Sequence, residues 1–468
     1  MIFINFAKKF STGIFNSVLS DTLDTSVYSI FIMKVMKFGG TSVGSAQRMK
    51  NMVALVAAEG NVLVVLSAMS GTTNSLISIS QSIHDSEFGN ARKQIDDLET
   101  KYKNTAAELL SDPELLGKAD AYINKVFSDL RSYVDRPFSI KEEKEVVAFG
   151  EKLSTNLVAL YMKQQGLDSV LLDATEFIRI DRDGEPDQAY IKEKANAVIA
   201  ADPDHKIYLT QGFICRNMDG EIDNLQRGGS DYSASLLGAA LNAEEIQIWT
   251  DIDGMHNNDP RFVEGTSPVS ELHFEEAAEL AYFGAKILHP TCVQPAKFAN
   301  IPVRLLNTME PEAPGTTIYN AAPTHTIKAV AAKDNITAIK IKSSHMLLAY
   351  GFLRKVFEIF EKYHTPIDMI TTSEVGVSVT IDNERYIKEI EKELAMFGDV
   401  TVDHDMVIVC VVGDLEWQNR GFEAAVVNAL KDIPVRMISY GGSNYNISLL
   451  IRKEDKINAL KLLSENLF

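Results

Sequence analysis

Apolar runs and helical segments alternate along the first two thirds of the chain. Residues 61–66 (Asn-Val-Leu-Val-Val-Leu) are apolar after the first position, which is typical of a strand buried on both faces. An earlier strand at 35–38 is followed by apolar residues with helical spacing, as at Met49, Val53 and Val56. Further strands are predicted at 168–172, 206–210, 246–251 and 301–305, and helices at 89–135, 140–165 and 234–241. This alternation predicts an α/β fold whose ligands bind at the carboxyl ends of parallel strands.

From residue 327 the pattern changes to short strands and short helices. Residues 336–402 predict the order βαββαβ, and residues 406–468 repeat that order up to a final helix. The second copy lacks a fourth strand of its own, and the apolar stretch 327–332 is free to supply it. We therefore predict a first repeat at about 335–403, inserted within a second repeat made of 327–333 and 404–468.

The remaining boundaries follow from composition. Residues 1–32 contain no Glu and no Arg, and Met33 stands directly before the first strand. We expect residues 1–32 to be a dispensable leader or a wrongly assigned start. Residues 33–315 then form the first domain, and residues 316–326, at the end of a proline-rich stretch, form a linker to the regulatory unit at 327–468.

Composition and charge exclude several classes of function. The 468 residues are 46% hydrophobic, with no apolar run near the roughly 20 residues of a membrane span. A net charge of -18 argues against a nucleic-acid or anionic-membrane partner. Cys215, Cys292 and Cys410 lie far apart, with no metal-type spacing, which favours buried thiols in a reducing, cytoplasmic compartment.

The first candidate site follows the strand at 35–38. Lys37 is followed by Gly39, Gly40, two hydroxyl residues and Gly44. A glycine turn that leads into a helix presents backbone N–H groups and a positive dipole to an anion, and Lys37 adds a point charge. A phosphate site is one interpretation; an ordinary strand-to-helix turn fits this stretch about as well. The Walker pattern is excluded, because no Gly-Lys-Ser/Thr follows.

Two further stretches repeat this chemistry. Residues 67–74 (Ser-Ala-Met-Ser-Gly-Thr-Thr-Asn) are small and hydroxylated and again precede a helix, which favours the phosphate site. Residues 227–231 (Arg-Gly-Gly-Ser-Asp) precede an apolar helix. A helix N-cap would explain Ser230 or Asp231, whereas an anion site that also organises cations explains Arg227 and the glycines as well. Glu151 lies on the predicted helix 140–165, where a plain solvated residue is the simpler interpretation.

Together these stretches resemble the signatures of the aspartate kinases. The matching motifs are 37–42, 67–74, 227–231, Trp-Thr-Asp at 249–251 and Asp-Pro-Arg at 259–261. The resemblance extends over residues 33–468 and includes paired ACT-type regulatory repeats. Residues 352–353 and 371–374 are most similar to the lysine-sensitive, monofunctional branch. The resemblance implies the amino-acid-kinase fold, a mostly parallel sheet between helices, followed by two ACT (βαββαβ) repeats, the first inserted within the second.

The resemblance also implies roles for individual residues. Catalysis is assigned to Lys37, which bridges the transferring phosphate, and to Asp231, which orders the cationic groups around it. The positions matching the ATP site are Lys37, Gly39, Gly40, Thr250, Asp251, His256, Arg261 and Lys286. The aspartate site comprises Thr73, Glu151 (ammonium), Arg227 (α-carboxylate) and Ser230. The effector positions are Met346, Gly351, Phe352, Leu353, Ile367, Asp368, Ser373 and Glu374.

Some positions depart from the family pattern. His256 stands where an aromatic ring that stacks on adenine is usual. Ala349 and Pro366 replace hydroxyl residues of the lysine-sensitive branch, so we expect inhibition by L-lysine that is weaker than in typical members. For Asp368, a strand start on a solvated edge is the alternative to an effector ligand.

The implied reaction is phosphorylation of the L-aspartate β-carboxylate by ATP, the first step of lysine, threonine and methionine biosynthesis. Mg²⁺ would arrive with ATP; no tightly bound cofactor and no protein metal site are expected. The protein would be at least a dimer, paired through its ACT domains. Two alternatives stay open: another kinase of this fold, acting for instance on glutamate or acetylglutamate, and a catalytically silent amino-acid sensor. An ATPase assay with and without aspartate separates the sensor from the enzymes.

Overall fold

A mostly parallel sheet organises the first domain of the computed structural model, which describes residues 33–225, 228–284, 288–343 and 350–468. The predicted leader 1–32 lies outside the described residues. The strands of this domain are β1 Lys34–Phe38, β2 Val62–Leu66, β3 Ser169–Leu171, β4 Ile207–Gln211, β5 Ile214–Arg216, β6 Ile222–Asn224, β7 Glu245–Thr250, β8 Glu271–His273, β9 Val303–Asn307 and β10 Thr316–Tyr319. Eight of them form the sheet β3-β4-β2-β1-β7-β9-β10-β8, and β5 and β6 form a separate hairpin.

Helices cover both faces of this sheet. They are α1 Ala46–Ala58, α2 Thr72–His84, α3 Phe88–Leu109, α4 Pro113–Ser132, α5 Ile140–Gln164, α6 Gln188–Ala201, α7 Gly229–Leu241, α8 Phe274–Tyr282 and α9 Pro290–Ala299. Strand β2 is buried along its whole length, as its apolar run predicts. Its side chains alternate between two cores: Leu63 and Val65 pack on one face, and Val64 on the other. Burial on both faces explains why these strands are continuously apolar.

The sheet is parallel except at one edge. Strand β1 pairs in parallel with both β2 and β7, so the residues that follow these three strands emerge at the same edge. Strand β10 runs antiparallel to β9 and parallel to β8. The predicted linker 316–326 therefore begins with a strand of the first domain. Main-chain bonds to the preceding strand β9 recruit Thr316–Tyr319, and the prolines between the two strands concealed β10 in the sequence.

A second, antiparallel sheet forms the regulatory unit. Its strands are β11 Ile327–Lys342, β12 Ile370–Ser373, β13 Gly376–Ile381, β14 Asp399–Gly413, β15 Met437–Tyr440 and β16 Asn446–Arg452, in the order β12-β13-β11-β14-β16-β15. Its helices are α10 Phe352–Lys362, α11 Ile387–Leu394, α12 Phe422–Ala429 and α13 Lys456–Leu467.

Strands β11 and β14 are shared between the two repeats. Each was predicted as two short strands, and each is one long strand whose pairing register shifts between Lys333 and Ile336. The first half of β11 lies beside the second half of β14 and completes the second repeat, as the inserted arrangement predicts. Separate cores support the two halves, around Val356 in the first repeat and Val409 in the second. Within the described residues, no helix is both long enough and apolar enough to cross a membrane.

Candidate active site

Lys37 stands at the end of the central strand β1, paired in register with Val65 on one side and Ile248 on the other. Its side chain is buried, and its Nζ lies 2.6 Å from Oδ1 of Asp231. Asp231 lies in the first turn of α7, so the pair joins the sheet to a helix N-terminus. A buried ammonium held by a single carboxylate keeps donors available for a further anion.

Two glycine loops lie back to back at this edge of the sheet. The N–H of Gly39 donates to the carbonyl of Trp249 (3.1 Å), and the N–H of Ser70 donates to the carbonyl of Gly40 (3.0 Å). A Cβ on Gly40 would lie 2.9 Å from the carbonyl oxygen of Ala68. Only glycine allows this approach, which brings the loop after β1 against the loop after β2.

Gly228 sets the start of α7. It adopts a left-handed conformation, with φ of 77°, immediately before the first helical residue Gly229. A Cβ at Gly228 would overlap the Cβ of His289, so both the backbone angle and the packing require glycine. Helix α2 starts in a similar way after Gly71. The N-termini of both helices border the same cavity, and their positive dipole ends favour an anion there.

The cavity between these loops has a volume of about 470 Å³. The structure brings five of the predicted catalytic and aspartate-binding residues together around it: Lys37, Thr73, Glu151, Ser230 and Asp231. Gly40 also lines it. Arg227, predicted to bind the α-carboxylate, lies outside the described residues.

Glu151 is buried, so the simpler interpretation as a solvated helix residue is wrong. Its side chain enters the cavity from α5, which is tied to the loop after β2 because the Ser154 hydroxyl donates to the carbonyl of Ser67 (2.8 Å). Oε1 of Glu151 accepts a hydrogen bond from the N–H of Ala68 (3.2 Å), whereas Oε2 has no partner among the described residues. Burial raises the pKa of Glu151 to about 8. An unpartnered carboxylate oxygen in a polar cavity suits a ligand ammonium.

A second cavity, of about 370 Å³, lies beside the loop after β7. His256 and Arg261, two of the predicted ATP-site residues, line it. The imidazole of His256 is fixed by Asp253 (Nε2 to Oδ1, 2.9 Å) and Thr266 (Nδ1 to Oγ1, 3.1 Å). The Arg261 guanidinium donates twice to the Asp259 carboxylate, with Nη2 2.6 Å from Oδ2.

The remaining ATP-site residues lie at the ends of β1 and β7 or outside the described residues. Thr250 ends β7, where its hydroxyl accepts from the N–H of Ile252 (3.1 Å), and Asp251 follows it as an exposed residue. Gly39 lies in the glycine loop after β1, which is described above. Lys286 lies outside the described residues.

Contacts between this loop and the regulatory unit had no counterpart in the sequence analysis. The N–H of Val330, on β11, donates to the carbonyl of Asn257 (2.8 Å). The side-chain amide of Asn258 donates to the carbonyl of Leu460, on α13 (2.9 Å). Two asparagines in a loop carry no signal of this kind in a single sequence, because their partners are main-chain groups far along the chain.

The predicted effector residues occupy different environments. Gly351 adopts a left-handed conformation immediately before α10, and Phe352 packs in the core of the first repeat. Ile367 is partly buried against the same core. Leu353, Ser373 and Glu374 are exposed, the last two at the turn from β12 to β13. Met346 lies outside the described residues.

The side chain of Asp368 is buried, so its interpretation as a residue on a solvated edge is wrong. Its side chain is only 1% exposed. Oδ1 accepts from Lys333 Nζ (2.7 Å) and from the Tyr282 hydroxyl (2.6 Å), the latter on α8 of the first domain. The matching position of the second repeat holds Arg436, whose Nε lies 3.0 Å from Oδ2 of Asp403.

Comparisons with known proteins agree with this architecture. The model of the amino acid kinase family matches residues 33–307, and a model of the ACT domain matches residues 409–467. Lysine-sensitive aspartokinase 3 of Escherichia coli (strain K12) is 33% identical over 93% of this chain and 99% of that protein. Aspartokinase 1, chloroplastic, of Arabidopsis thaliana is also 33% identical, over 93% of this chain and 80% of that protein.

Solved structures give the same result. The crystal structure of E. coli aspartokinase III in complex with aspartate and ADP (R-state) matches with a TM-score of 0.81 at 32% identity, over 93% of this chain and 100% of that one. The structure of the same enzyme in complex with lysine and aspartate (T-state) gives a TM-score of 0.77, over 93% and 99%. The predicted amino-acid-kinase fold with ACT repeats is confirmed, and the chain belongs to the aspartokinase family.

Proposed function

We propose that the protein transfers the γ-phosphoryl group of ATP to the β-carboxylate of L-aspartate, yielding 4-phospho-L-aspartate and ADP. The observation that carries this proposal is the buried Lys37–Asp231 pair, placed where two glycine loops and two helix N-termini meet. The family relatives are named as aspartokinases, and an E. coli relative has been crystallised with aspartate and ADP, which supports the same substrates here.

The chemistry requires positioning more than proton transfer. A carboxylate with an ordinary pKa of about 3.9 is ionised at neutral pH, so the acceptor needs no general base. The enzyme has to align two anions and neutralise their repulsion. Lys37 supplies a positive charge for the transferring phosphoryl group, and the N–H groups at the starts of α2 and α7 add positive potential. Asp231 holds Lys37 in place and faces the Mg²⁺ that accompanies ATP as part of the substrate.

Aspartate recognition uses the polar wall of the first cavity. We assign the substrate ammonium to Glu151 and its α-carboxylate to Arg227, with Thr73 and Ser230 completing the pocket. For ATP, we assign the phosphates to the Gly39–Gly40 loop, with the N–H of Gly40 as the donor, because the N–H of Gly39 already donates to the Trp249 carbonyl. The other nucleotide contacts are assigned to Thr250, Asp251, His256, Arg261 and Lys286. In that assignment Arg261 exchanges its bond to Asp259 for the nucleotide.

The alternatives fit less well. A silent amino-acid sensor has no use for a buried ammonium–carboxylate pair at a helix N-terminus. A kinase for acetylglutamate has no substrate ammonium, so nothing in that substrate would pair with Glu151 or stabilise its ionised form. An α-amino acid with a short side chain satisfies Glu151 and reaches Lys37.

Regulation and assembly are part of the proposal. We assign inhibition to L-lysine acting at the first ACT repeat, and a dimer or larger homo-oligomer formed through the ACT domains. The domain limits that accompany it are residues 33–315 for catalysis and 327–468 for regulation, and the location is the cytoplasm. The E. coli relative, named as lysine-sensitive and crystallised with lysine, supports the choice of effector.

One assay tests the substrate assignment. The purified protein is incubated with ATP, Mg²⁺ and either L-aspartate or L-glutamate, and the acyl phosphate is trapped as its hydroxamate. We expect product with aspartate and little with glutamate, whose extra methylene displaces the carboxylate. Equal turnover of both amino acids would reject the pocket assignment. Repeating the assay with lysine, threonine or methionine identifies the effector.

A further inference from the structure

The carboxylate of Asp368 already forms an ion pair with a cation of the same chain, the ammonium of Lys333. Lys333 Nζ lies 2.7 Å from Oδ1 of Asp368 and 2.9 Å from Oδ2 of Asp382. The same ammonium lies 4.3 Å from the ring centroid of Tyr282, whose hydroxyl donates to Asp368. Strand β11, the segment before β12 and helix α8 thus converge on one buried carboxylate.

Asp368 keeps one unused acceptor. Its Oδ2 has no hydrogen-bond partner among the described residues, although the side chain is almost fully buried. A buried carboxylate oxygen without a partner is costly, so a ligand that brings a donor is favoured there. A second ammonium at the same buried carboxylate would repel the ammonium of Lys333, so the two cations compete for it. The ammonium of Lys333 has an alternative position beside Asp382. The side chain of Asp382 is 40% exposed and can bind this ammonium without Asp368.

The same strand segment contacts the first domain at three successive places. Val330 donates to Asn257, the carbonyl of Ala332 packs against Gly284, and Lys333 lies on the ring of Tyr282. Gly284 has φ of 122°, and a Cβ there would overlap the Ala332 carbonyl oxygen. Tyr282 is the last residue of α8, and Lys286, a predicted ATP-site residue, follows shortly after it. Tyr282 thus joins Lys333 to the end of the helix that precedes Lys286 in the chain.

We infer that Lys333 is an internal competitor of the cationic effector: its ammonium holds the Asp368 carboxylate that a free amino acid's side-chain ammonium would use. An effector that takes Asp368 displaces Lys333 toward Asp382 and breaks the Tyr282 contact, which releases the end of α8. This inference rests on the proposed lysine regulation. It adds that Lys333 raises the concentration of effector that is needed for inhibition. By linkage, whatever strengthens the Lys333–Asp368 contact weakens effector binding equally.

The test removes the competing ammonium. In Lys333→Met, the L-lysine concentration for half-inhibition, and the dissociation constant from calorimetry, should both fall roughly tenfold, the effect of freeing one charged hydrogen-bond acceptor. Turnover without lysine should fall below the wild-type value, because the variant lacks the Lys333–Tyr282 contact that the effector breaks. Lys333→Arg, which keeps a cation, should not increase lysine affinity. Lys362→Met is the matched control, because Lys362 forms an ion pair with Glu393 in the same repeat, away from Asp368.

A second variant tests the link to the first domain. In Tyr282→Phe, which keeps the ring and removes the hydroxyl, calorimetry should still detect lysine binding, but the maximal inhibition should be smaller. Thermal unfolding of each variant establishes that it is folded. Lysine affinity that is unchanged or weaker in folded Lys333→Met overturns the inference and leaves the proposed function intact. A wild-type enzyme that forms aspartyl phosphate and binds no lysine overturns both the effector assignment and this inference, while the kinase assignment stands.

Discussion

The ammonium of Lys37 lies 2.6 Å from the carboxylate of Asp231, and this contact fixes a strand end to the first turn of α7. Because the pair is buried, the charge of Lys37 is held in one position before any substrate arrives. A charge that is already in place at a transition state contributes more than one that must be brought there.

Replacing Lys37 by Met should therefore reduce kcat by about 100- to 1000-fold, the usual cost of losing one pre-organised stabilising group. Steady-state kinetics with saturating ATP and aspartate measure this change. Lys34→Met is the control: Lys34 begins the same strand but pairs with Glu59 at the surface, 2.9 Å away. Near-normal turnover in folded Lys37→Met would remove Lys37 from the mechanism.

The burial of Glu151 predicts pH-dependent aspartate binding. Below its pKa of about 8 the free enzyme holds Glu151 protonated, whereas a bound ammonium requires the carboxylate. Binding near neutral pH must therefore release a proton, and the KM for aspartate should fall about tenfold per pH unit as the pH rises toward 8. Calorimetry in buffers of different ionisation enthalpy measures the proton release. Binding without proton release at pH 7 would contradict the assignment of the ammonium to Glu151.

The same burial predicts that ionised Glu151 lowers the free energy of unfolding at high pH. Its pKa is raised above the ordinary 4.5, so between pH 4.5 and about 8 the folded protein holds a proton that the unfolded chain has lost. The free energy of unfolding of the wild type should therefore decrease relative to Glu151→Gln across this window, by about 1.4 kcal/mol per pH unit. Urea unfolding at several pH values tests this difference. A constant difference would mean that Glu151 titrates normally.

Gly228 should be intolerant of a side chain. Gly228→Ala adopts a left-handed angle at a cost of about 1–2 kcal/mol. Overlap with His289 adds roughly 1–3 kcal/mol and shifts the start of α7, which should lower kcat by displacing Asp231. Gly220→Ala is a matched control, because Gly220 has φ of 79° and open space around it. The two variants should therefore differ in activity and in unfolding free energy, and equal behaviour would contradict the crowding argument.

The carboxylate of Asp368 should select a cationic effector. We expect L-lysine to inhibit and L-threonine to have little effect, because threonine brings no side-chain ammonium. Asp368→Asn should raise the lysine concentration for half-inhibition at least roughly tenfold. Asp403→Asn, which removes the partner of Arg436 in the second repeat, is the control. Inhibition by threonine in place of lysine would show that the branch assignment is wrong.

Sequence reasoning singled out residues whose chemistry is concentrated in short glycine-containing motifs. Lys37 lies in β1 shortly before Gly39, and Thr73, Ser230 and Asp231 lie in the first turns of α2 and α7, after Gly71 and Gly228. All four line one cavity, and their roles stay predictions. Glu151 was less predictable from the residues alone, because a single acidic residue on a helix is usually solvated. Only the position of α5 over the loop after β2 makes it buried.

The contacts that sequence reasoning did not predict are those between residues of different strands and helices. The contact of Lys333 with Asp368 and Tyr282 joins three elements with no shared motif. The polar residues at 333–335 interrupt the apolar pattern of β11, which made one long strand resemble two short ones. For β10, local prolines indicated a linker, whereas pairing with β9 decides the outcome.

The two repeats carry opposite charges at matching positions: Asp368 pairs with a lysine of β11, and Arg436 pairs with an aspartate of β14. Among the described residues, the buried carboxylate proposed to bind an effector ammonium is therefore present in the first repeat, whereas the second repeat holds an arginine at that position. Titration with lysine should saturate at one equivalent per chain. Any sigmoidal response would then have to originate between chains and could not arise from two sites within one.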